Sequence, residues 1–153
     1  MRVPLILVEL GPQSYHLLIE ARLNGVETAF VLDSGASRSI IDTALLPADT
    51  VLIEPAEPMV AYGVDAGNVP VRQAHGVELS LGNGQWVRSL DFIAAELSAM
   101  RELYADACGR SIAGLLGCDF VLKHCNSINL IHRTICLRDR PRKRMLITKN
   151  GSK

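Results

Sequence analysis

Residues Phe30-Val-Leu-Asp33-Ser34-Gly35-Ala36-Ser37 run an apolar strand straight into an acid, a hydroxyl and a glycine, after which the chain returns to apolar Ile40-Ile41. A strand can immobilise the backbone of the acid while Gly35 permits a tight bend that holds the carboxylate outward. Hydroxyls at Ser34 and Ser37 can fix such a turn through side chain to backbone hydrogen bonds. A plain strand-ending turn has the same composition, so this segment alone does not decide the chemistry. A second segment adds to it. Ser111-Ile-Ala-Gly114-Leu115-Leu116-Gly117-Cys118-Asp119-Phe120 places two apolar residues ahead of a glycine and then opens a polar-apolar helical start.

Taken together and in this order, Asp33-Ser34-Gly35-Ala36 and Leu115-Leu116-Gly117 resemble the retropepsin family of aspartic peptidases, over most of Tyr15 to Leu137. In that family the acid motif is followed by a flap hairpin, an apolar-apolar-glycine segment packed beneath the acid loop, a short helix and final strands. The resemblance implies Asp33 as the catalytic carboxylate and Ser34, Gly35, Ala36 and Ser37 as its loop. Ser34 is then expected to bond across to a partner's acid loop. Leu115, Leu116 and Gly117 are expected to support the loop from below. A flap candidate lies within Met59 to Ala74, and Tyr62, Gly63, Val64, Asp65, Ala66 and Gly67 are expected to cover an extended peptide, adding backbone bonds as a strand does. The acid at Asp65 suggests a preference for basic residues near the cleavage point.

Peptide hydrolysis needs one group to deprotonate water and another to protonate the carbonyl oxygen and the leaving amine. Two carboxylates sharing one proton do both, because like charges a few ångströms apart cannot both ionise. This chain carries a single Asp-Ser/Thr-Gly, so a complete site requires two copies meeting across a two-fold axis. The expected function is a homodimeric aspartic endopeptidase acting on peptide or protein substrates, with no cofactor and no metal. The alternative is a catalytically silent peptide-binding or dimerisation module of the same fold.

The elements that must position these residues read as mostly β. Asn24-Gly25 between two apolar runs is a strong hairpin signal, since both residues accept positive φ in a type I′ turn. A second hairpin is expected around Gly82-Asn83-Gly84 and a third near Asp65-Ala66-Gly67-Asn68, where Pro70 makes the arm an edge or a flap. Late strands are expected at Ser127–Ile131 and Thr134–Leu137. Helices are few: Ala94 to Tyr104 places Leu97, Met100 and Tyr104 at helical spacing, with Leu103 also assigned to the core-facing side. A short turn is expected after Asp42, as its N-cap, stopping near Pro47, and a helix from Cys118 to His124. The fold class follows: a mostly β, retropepsin-like closed or orthogonal β-barrel half with one or two short helices. The helix after Ala94 is an insertion relative to the viral enzymes, and the tail beyond Leu137 has no counterpart in them.

Of 153 residues, 48% are hydrophobic and 21% charged, which argues for a folded globule. Net charge is zero but uneven: residues 133–153 hold eight Lys or Arg and one acid, so the rest must carry the opposite excess. Residues 1–137 are read as the peptidase domain and 138–153 as a basic tail. That tail lacks interleaved aromatics, and Pro141 opposes a recognition helix, so nucleic acid is disfavoured as a partner. Docking of the tail on the acidic body of its own or the partner chain is the more specific expectation. The start is too short for a signal-peptide core or a membrane span. Cys108, Cys118, Cys125 and Cys136 form no CxxC pair, and together with His124 and His132 they fit no common zinc spacing. They are read as reduced thiols in a cytoplasmic protein. His16 and His75 have no acid-and-nucleophile context, Asp42 reads as a cap, and Asp119 as first-turn charge on a helix.

Overall fold

The computed structural model describes residues 1–55 and 71–143. The flap residues Tyr62 to Gly67, the third hairpin and the neighbourhood of Met145 to Thr148 lie outside the described residues.

The chain forms strands β1 (Arg2–Pro4), β2 (Ile6–Gly11), β3 (Ser14–Leu23), β4 (Val26–Leu32), β5 (Ile40–Asp42) and β6 (Val51–Ile53). β7 (Arg72–Leu81) and β8 (Trp86–Ala95) follow, then helix α1 (Ser98–Cys108), β9 (Ile112–Leu116), helix α2 (Cys118–His124), β10 (Cys125–Asn129) and β11 (Thr134–Leu137). The hairpin between β3 and β4 turns on Asn24 and Gly25 with φ of 48° and 82°, the two positive values that a type I′ turn requires. The next hairpin joins Leu81 to Trp86 through Gly82-Asn83-Gly84.

The larger sheet runs β2-β3-β4-β9-β5-β8-β7-β6, and β3 also pairs with β7 through Ala21–Leu23 and Leu79–Leu81. That extra pairing closes β3, β4, β9, β5, β8 and β7 into a six-stranded barrel. Two pairings inside it are parallel, β4 with β9 and β5 with β8. Alternation along the strands then sorts side chains to two sides. Ile19, Phe30, Leu32, Ile41, Leu79, Phe92, Ala113 and Leu116 share one buried cluster, in which Phe30 and Phe92 stack with ring centroids 5.7 Å apart. On the opposite side Leu18, Val31, Ile93, Ile112 and Leu115 meet Leu97, Met100 and Tyr104 around α1. Every fully buried aliphatic or aromatic side chain stabilises the fold by about 1.5–3 kcal/mol, so α1 is part of the core and not an appendage.

A smaller sheet, β1-β11-β10, brings the first and last described strands together. Trp86, Phe120 and His124 pack edge and face at its junction with the barrel, with centroids 5.3–5.9 Å apart.

Three sequence expectations need correction. The helix expected from Ala94 starts at Ser98, because Ala94 and Ala95 are the end of β8, paired with Ile41 and Asp42. Leu103, assigned to its inner side, is half exposed, whereas Leu97 and Tyr104 are buried. The strand expected over 127–131 runs from Cys125 to Asn129, and Leu130 and Ile131 belong to the turn. By contrast, α2 spans the predicted Cys118–His124, and Asp42 caps a single 3-10 turn, Thr43–Leu45, accepting from the Ala44 N–H at 3.0 Å.

Asp42 does more than cap. It is completely buried and its other oxygen contacts the Arg101 guanidinium of α1. Arg101→Ala would leave that carboxylate buried without its cation. The expected cost is about 3 kcal/mol, read as a lowered urea midpoint; an unchanged midpoint would show that the pair contributes nothing net.

Candidate active site

Asp33 follows the last residue of β4. Its N–H donates to Leu116 O at 3.0 Å, which continues the parallel β4–β9 pairing by one bond beyond Leu32 and Leu116. The acid therefore sits where two parallel strands end together, with its backbone tied to the supporting segment. The turn beyond it is closed locally: Gly35 N–H donates to Asp33 Oδ1 at 2.9 Å and Ala36 N–H to Asp33 O at 3.2 Å. A Cβ on residue 35 would stand 3.1 Å from Asp33 Oδ1, so a larger residue there would crowd the carboxylate.

Helix α2 clamps the loop from the other side. Cys118 N–H donates to Ala36 O at 2.7 Å, and the Cys118 thiol donates to Ser34 O at 3.3 Å. Gly117 comes so close that a Cβ on it would lie 2.7 Å from Arg38 O and 2.8 Å from Ala36 O. The structure thus brings Asp33, Ser34, Gly35, Ala36, Leu116 and Gly117 into one constellation. Leu115, one residue earlier, faces the α1 side.

The serine roles differ from the sequence expectation. Ser34 and Ser37 are exposed at the loop, and neither hydroxyl bonds another described residue. Ser39 ties the turn down instead: buried, it accepts from Gly117 N–H at 3.0 Å and donates to Asp119 Oδ1 at 2.7 Å. Asp119 also faces Arg38 at 3.6 Å. Asp119 is therefore an anchor of the acid loop as well as a first-turn charge. The sequence signal for it was slight, a lone acid two residues after Gly117, and the partner serine is 80 residues away.

The Asp33 carboxylate is half exposed and makes no ion pair with any described residue. Two cavities of about 320 and 310 Å³ on the barrel flanks are not lined by it. Behind it, Tyr104 on α1 shares a hydrogen bond of 2.9 Å with His16 Nδ1. Burial first, then the charges of Cys108 and Asp33, push the Tyr104 phenol up to about 12, so it stays neutral at working pH. His75, expected to be without an acid, lies 3.1 Å from Asp91; both are substantially exposed, as a surface pair is. Among the described residues no three His, Cys, Asp or Glu side chains gather as a metal site would need.

His124 closes α2 against Trp86 and Phe120 and is only 3% exposed. Burial, then Lys123 and Arg88, lower its imidazole from 6.5 to about 4, and its Nδ1 has no hydrogen-bond partner among the described residues. Between those two values the unfolded chain binds a proton that the native chain does not. Stability from this group is thus full above about pH 6.5 and falls as pH drops toward 4, by at most about 3 kcal/mol. Urea midpoints compared at pH 7 and 4.5 should drop less in His124→Phe than in the native protein; parallel losses would remove His124 from the acid response.

Residues 138–143, the described part of the basic segment, lie against the end of α2 and β8. Arg138 N–H donates to His124 O, Arg142 N–H to Lys123 O, and Arg88 donates to Asp139 O. These bonds run to backbone carbonyls in basic surroundings, and no ion pair joins residues 138–143 to an acid among the described residues.

Comparisons with known proteins bear on the fold and the family. The retroviral protease-like domain of Ddi1 from Leishmania major superposes with a TM-score of 0.51 at 18% identity, covering 82% of this chain and 90% of that one. This likeness establishes a retropepsin-like fold. EIAV protease (TM-score 0.47, 19% identity, 68% and 83% covered) and a retropepsin-like aspartic protease from Rickettsia conorii (0.44, 13%, 88% and 91%) are also similar. No curated protein matches the chain. The aspartyl protease family matches residues 19–120, which span both the Asp33 loop and the Leu116–Gly117 support, and the chain belongs to that family.

Proposed function

We propose that the chain is a homodimeric aspartic endopeptidase in which the Asp33 carboxylates of two copies activate water between them. The observation that carries this reading is the state of Asp33. It is fixed by backbone bonds to Leu116 and Gly35, half exposed, and free of any described cation that would occupy it. A structural carboxylate such as Asp42 shows the opposite, complete burial and an arginine partner. Ser34, exposed beside the acid, suits a bond to the twin loop. Tyr62 to Gly67 are assigned to covering the substrate, residues 1–137 to the peptidase unit and 138–153 to a basic tail. The four unpaired cysteines favour a reducing, cytoplasmic setting. Among the described residues no helix is long and apolar enough to cross a membrane.

Subunit mixing tests the reading directly. Excess Asp33→Asn chain equilibrated with native chain should suppress hydrolysis of an extended peptide library, because mixed pairs hold one carboxylate and one amide. Activity that depends only on the amount of native chain would sink the shared-site mechanism. Absence of hydrolysis by a native dimer would favour a silent peptide-binding module.

A further inference from the structure

We infer that Tyr104 of α1 is a positioning residue for the proposed reaction: it orients the His16 ring so that Nε2–H donates to a backbone carbonyl of the bound peptide beside Asp33. This deepens the peptidase reading and rests on it.

Strand register brings the two residues to one place. The β3–β4 ladder runs outward from its turn to a last pair, Leu18 with Val31. Two residues further along each strand stand His16 and Asp33. Side chains two apart on a strand share a side, and Leu18 and Val31 both pack in the cluster around α1. His16 and Asp33 therefore turn toward α1 together. Two observations agree. His16 Nδ1 lies 2.9 Å from the Tyr104 phenol oxygen on α1, and the charge of Asp33 is among the causes that push that phenol up. Opposed Cβ atoms on neighbouring strands stand about 5 Å apart, so a ring at this station is a near neighbour of the acid.

Helix α1 holds the ring in one orientation. Tyr104 is buried in one cluster with Leu97, Ile112 and Leu115, and its ring meets the imidazole edge-on, at 87° with centroids 5.8 Å apart. The helix itself is tied to β5 through Arg101 and Asp42. A buried phenol O–H needs an acceptor, and among the described residues its partner is His16 Nδ1. The neutral phenol donates to Nδ1, and a neutral imidazole then carries its hydrogen on Nε2. A protonated ring has hydrogens on both nitrogens. Nε2 is a donor in either state.

That donor is barely used within the chain. Its described partner is Ser14 Oγ at 3.5 Å, an exposed hydroxyl at the outer limit of hydrogen bonding. His16 is itself partly exposed. An extended peptide laid across Asp33 presents carbonyls on both sides of the bond to be cut, and one of them supplies the acceptor that Nε2–H lacks. A bond of this kind is made to ground state and transition state alike, so its loss falls on KM and spares kcat.

A double-mutant cycle tests this on an extended peptide that the native chain cleaves. His16→Leu removes the donor and should raise KM about tenfold, the scale of one hydrogen bond. Tyr104→Phe keeps the ring, loses the hydroxyl and should raise KM about threefold, with kcat near native in both. The double variant should match His16→Leu alone, because Tyr104 acts through His16. His16→Gln, whose amide can donate in place of Nε2–H, should recover most of the native KM. Tyr15→Phe, beside His16 in sequence but turned to the other side of β3, should leave KM as it is. A native KM in His16→Leu, additive effects in the double variant, or a fall in kcat at unchanged KM overturns the inference. If Tyr104→Phe fails to fold, His16→Leu against His16→Gln decides. Fluorescence anisotropy of labelled extended peptides, with and without His16→Leu in an Asp33→Asn background, separates the two readings. Weakened binding in His16→Leu by a chain that cleaves nothing overturns only the peptidase reading. Cleavage that needs Asp33 and ignores His16 overturns only the role of His16 and Tyr104, and a chain that neither cleaves nor binds overturns both.

Discussion

Asp33→Asn is expected to lower peptide hydrolysis by at least about 10³-fold, the scale at which a positioned acid–base group contributes, while fold and dimer persist. The asymmetry comes from the local geometry. The amide is nearly isosteric, and its carbonyl oxygen can still accept the Gly35 N–H that now reaches Asp33 Oδ1 at 2.9 Å. The bond from Asp33 N–H to Leu116 O does not involve the side chain at all. No described cation loses a partner, so the variant leaves no uncompensated charge. What disappears is the ability to take a proton from water. Initial rates on an extended peptide substrate, with unfolding midpoint and sedimentation measured alongside, check the claim. Equal rates for native and variant would remove Asp33 from the chemistry, and a large loss of stability would show that the carboxylate holds the fold.

Gly114→Ala is expected to have the largest effect on stability, more than about 4 kcal/mol, in the far tail for single substitutions. Gly114 lies in β9 between β4 and β5, and a Cβ there would fall 1.9 Å from Ile40 O and 3.0 Å from Ile41 Cα. Those are backbone atoms of a strand paired on its other side with β8, so neither neighbour can swing away as a flexible side chain would. The variant should be recovered unfolded or with a urea midpoint far below native. A native-like midpoint would mean that the strands separate at little cost.

Gly117→Ala makes the useful contrast. The atoms it would strike, Arg38 O and Ala36 O at 2.7 and 2.8 Å, are backbone atoms of the acid loop, and this approach is less severe than the 1.9 Å at Gly114. Its stability loss should be smaller, about 1–3 kcal/mol. Displacing the carboxylate by an ångström, however, is enough to cost about 10²-fold in rate. Activity should therefore fall further than stability does. The opposite ranking would show that Gly117 packs the core and does not support the loop.

Elements defined by local rules were legible in the chain. The Asn24-Gly25 hairpin, the Asp42 cap and α2 over Cys118–His124 each depend on a few adjacent residues, whose turn and capping preferences act over one or two peptide bonds. The start of α1 was not. Ala94 and Ala95 suit a helix by propensity, but pairing with β5 holds them in a strand, and such pairing reflects a partner some 50 residues away. Leu130 and Ile131 were misplaced for the related reason that apolar residues were read as strand, although β10 had already ended.

For the site, the Asp33-Ser34-Gly35-Ala36 turn and the Leu115-Leu116-Gly117 segment were visible as motifs in order. The family resemblance they carry implied that Gly117 lies against the acid loop, where the structure has it within a Cβ's reach of Ala36 O. Which hydroxyl anchors the loop was a matter of burial. Ser34, Ser37 and Ser39 are chemically alike, and only the tertiary fold turns Ser39 inward against Gly117 and Asp119 while leaving the other two outside. The same holds for Asp42 and Arg101, joined across β5 and α1. Sequence alone determined that residue 33 is a carboxylate at the start of a tight turn. Its fixed backbone and the anchored loop around it were decided by tertiary structure, since hydrogen bonds and burial depend on residues brought together from distant parts of the chain.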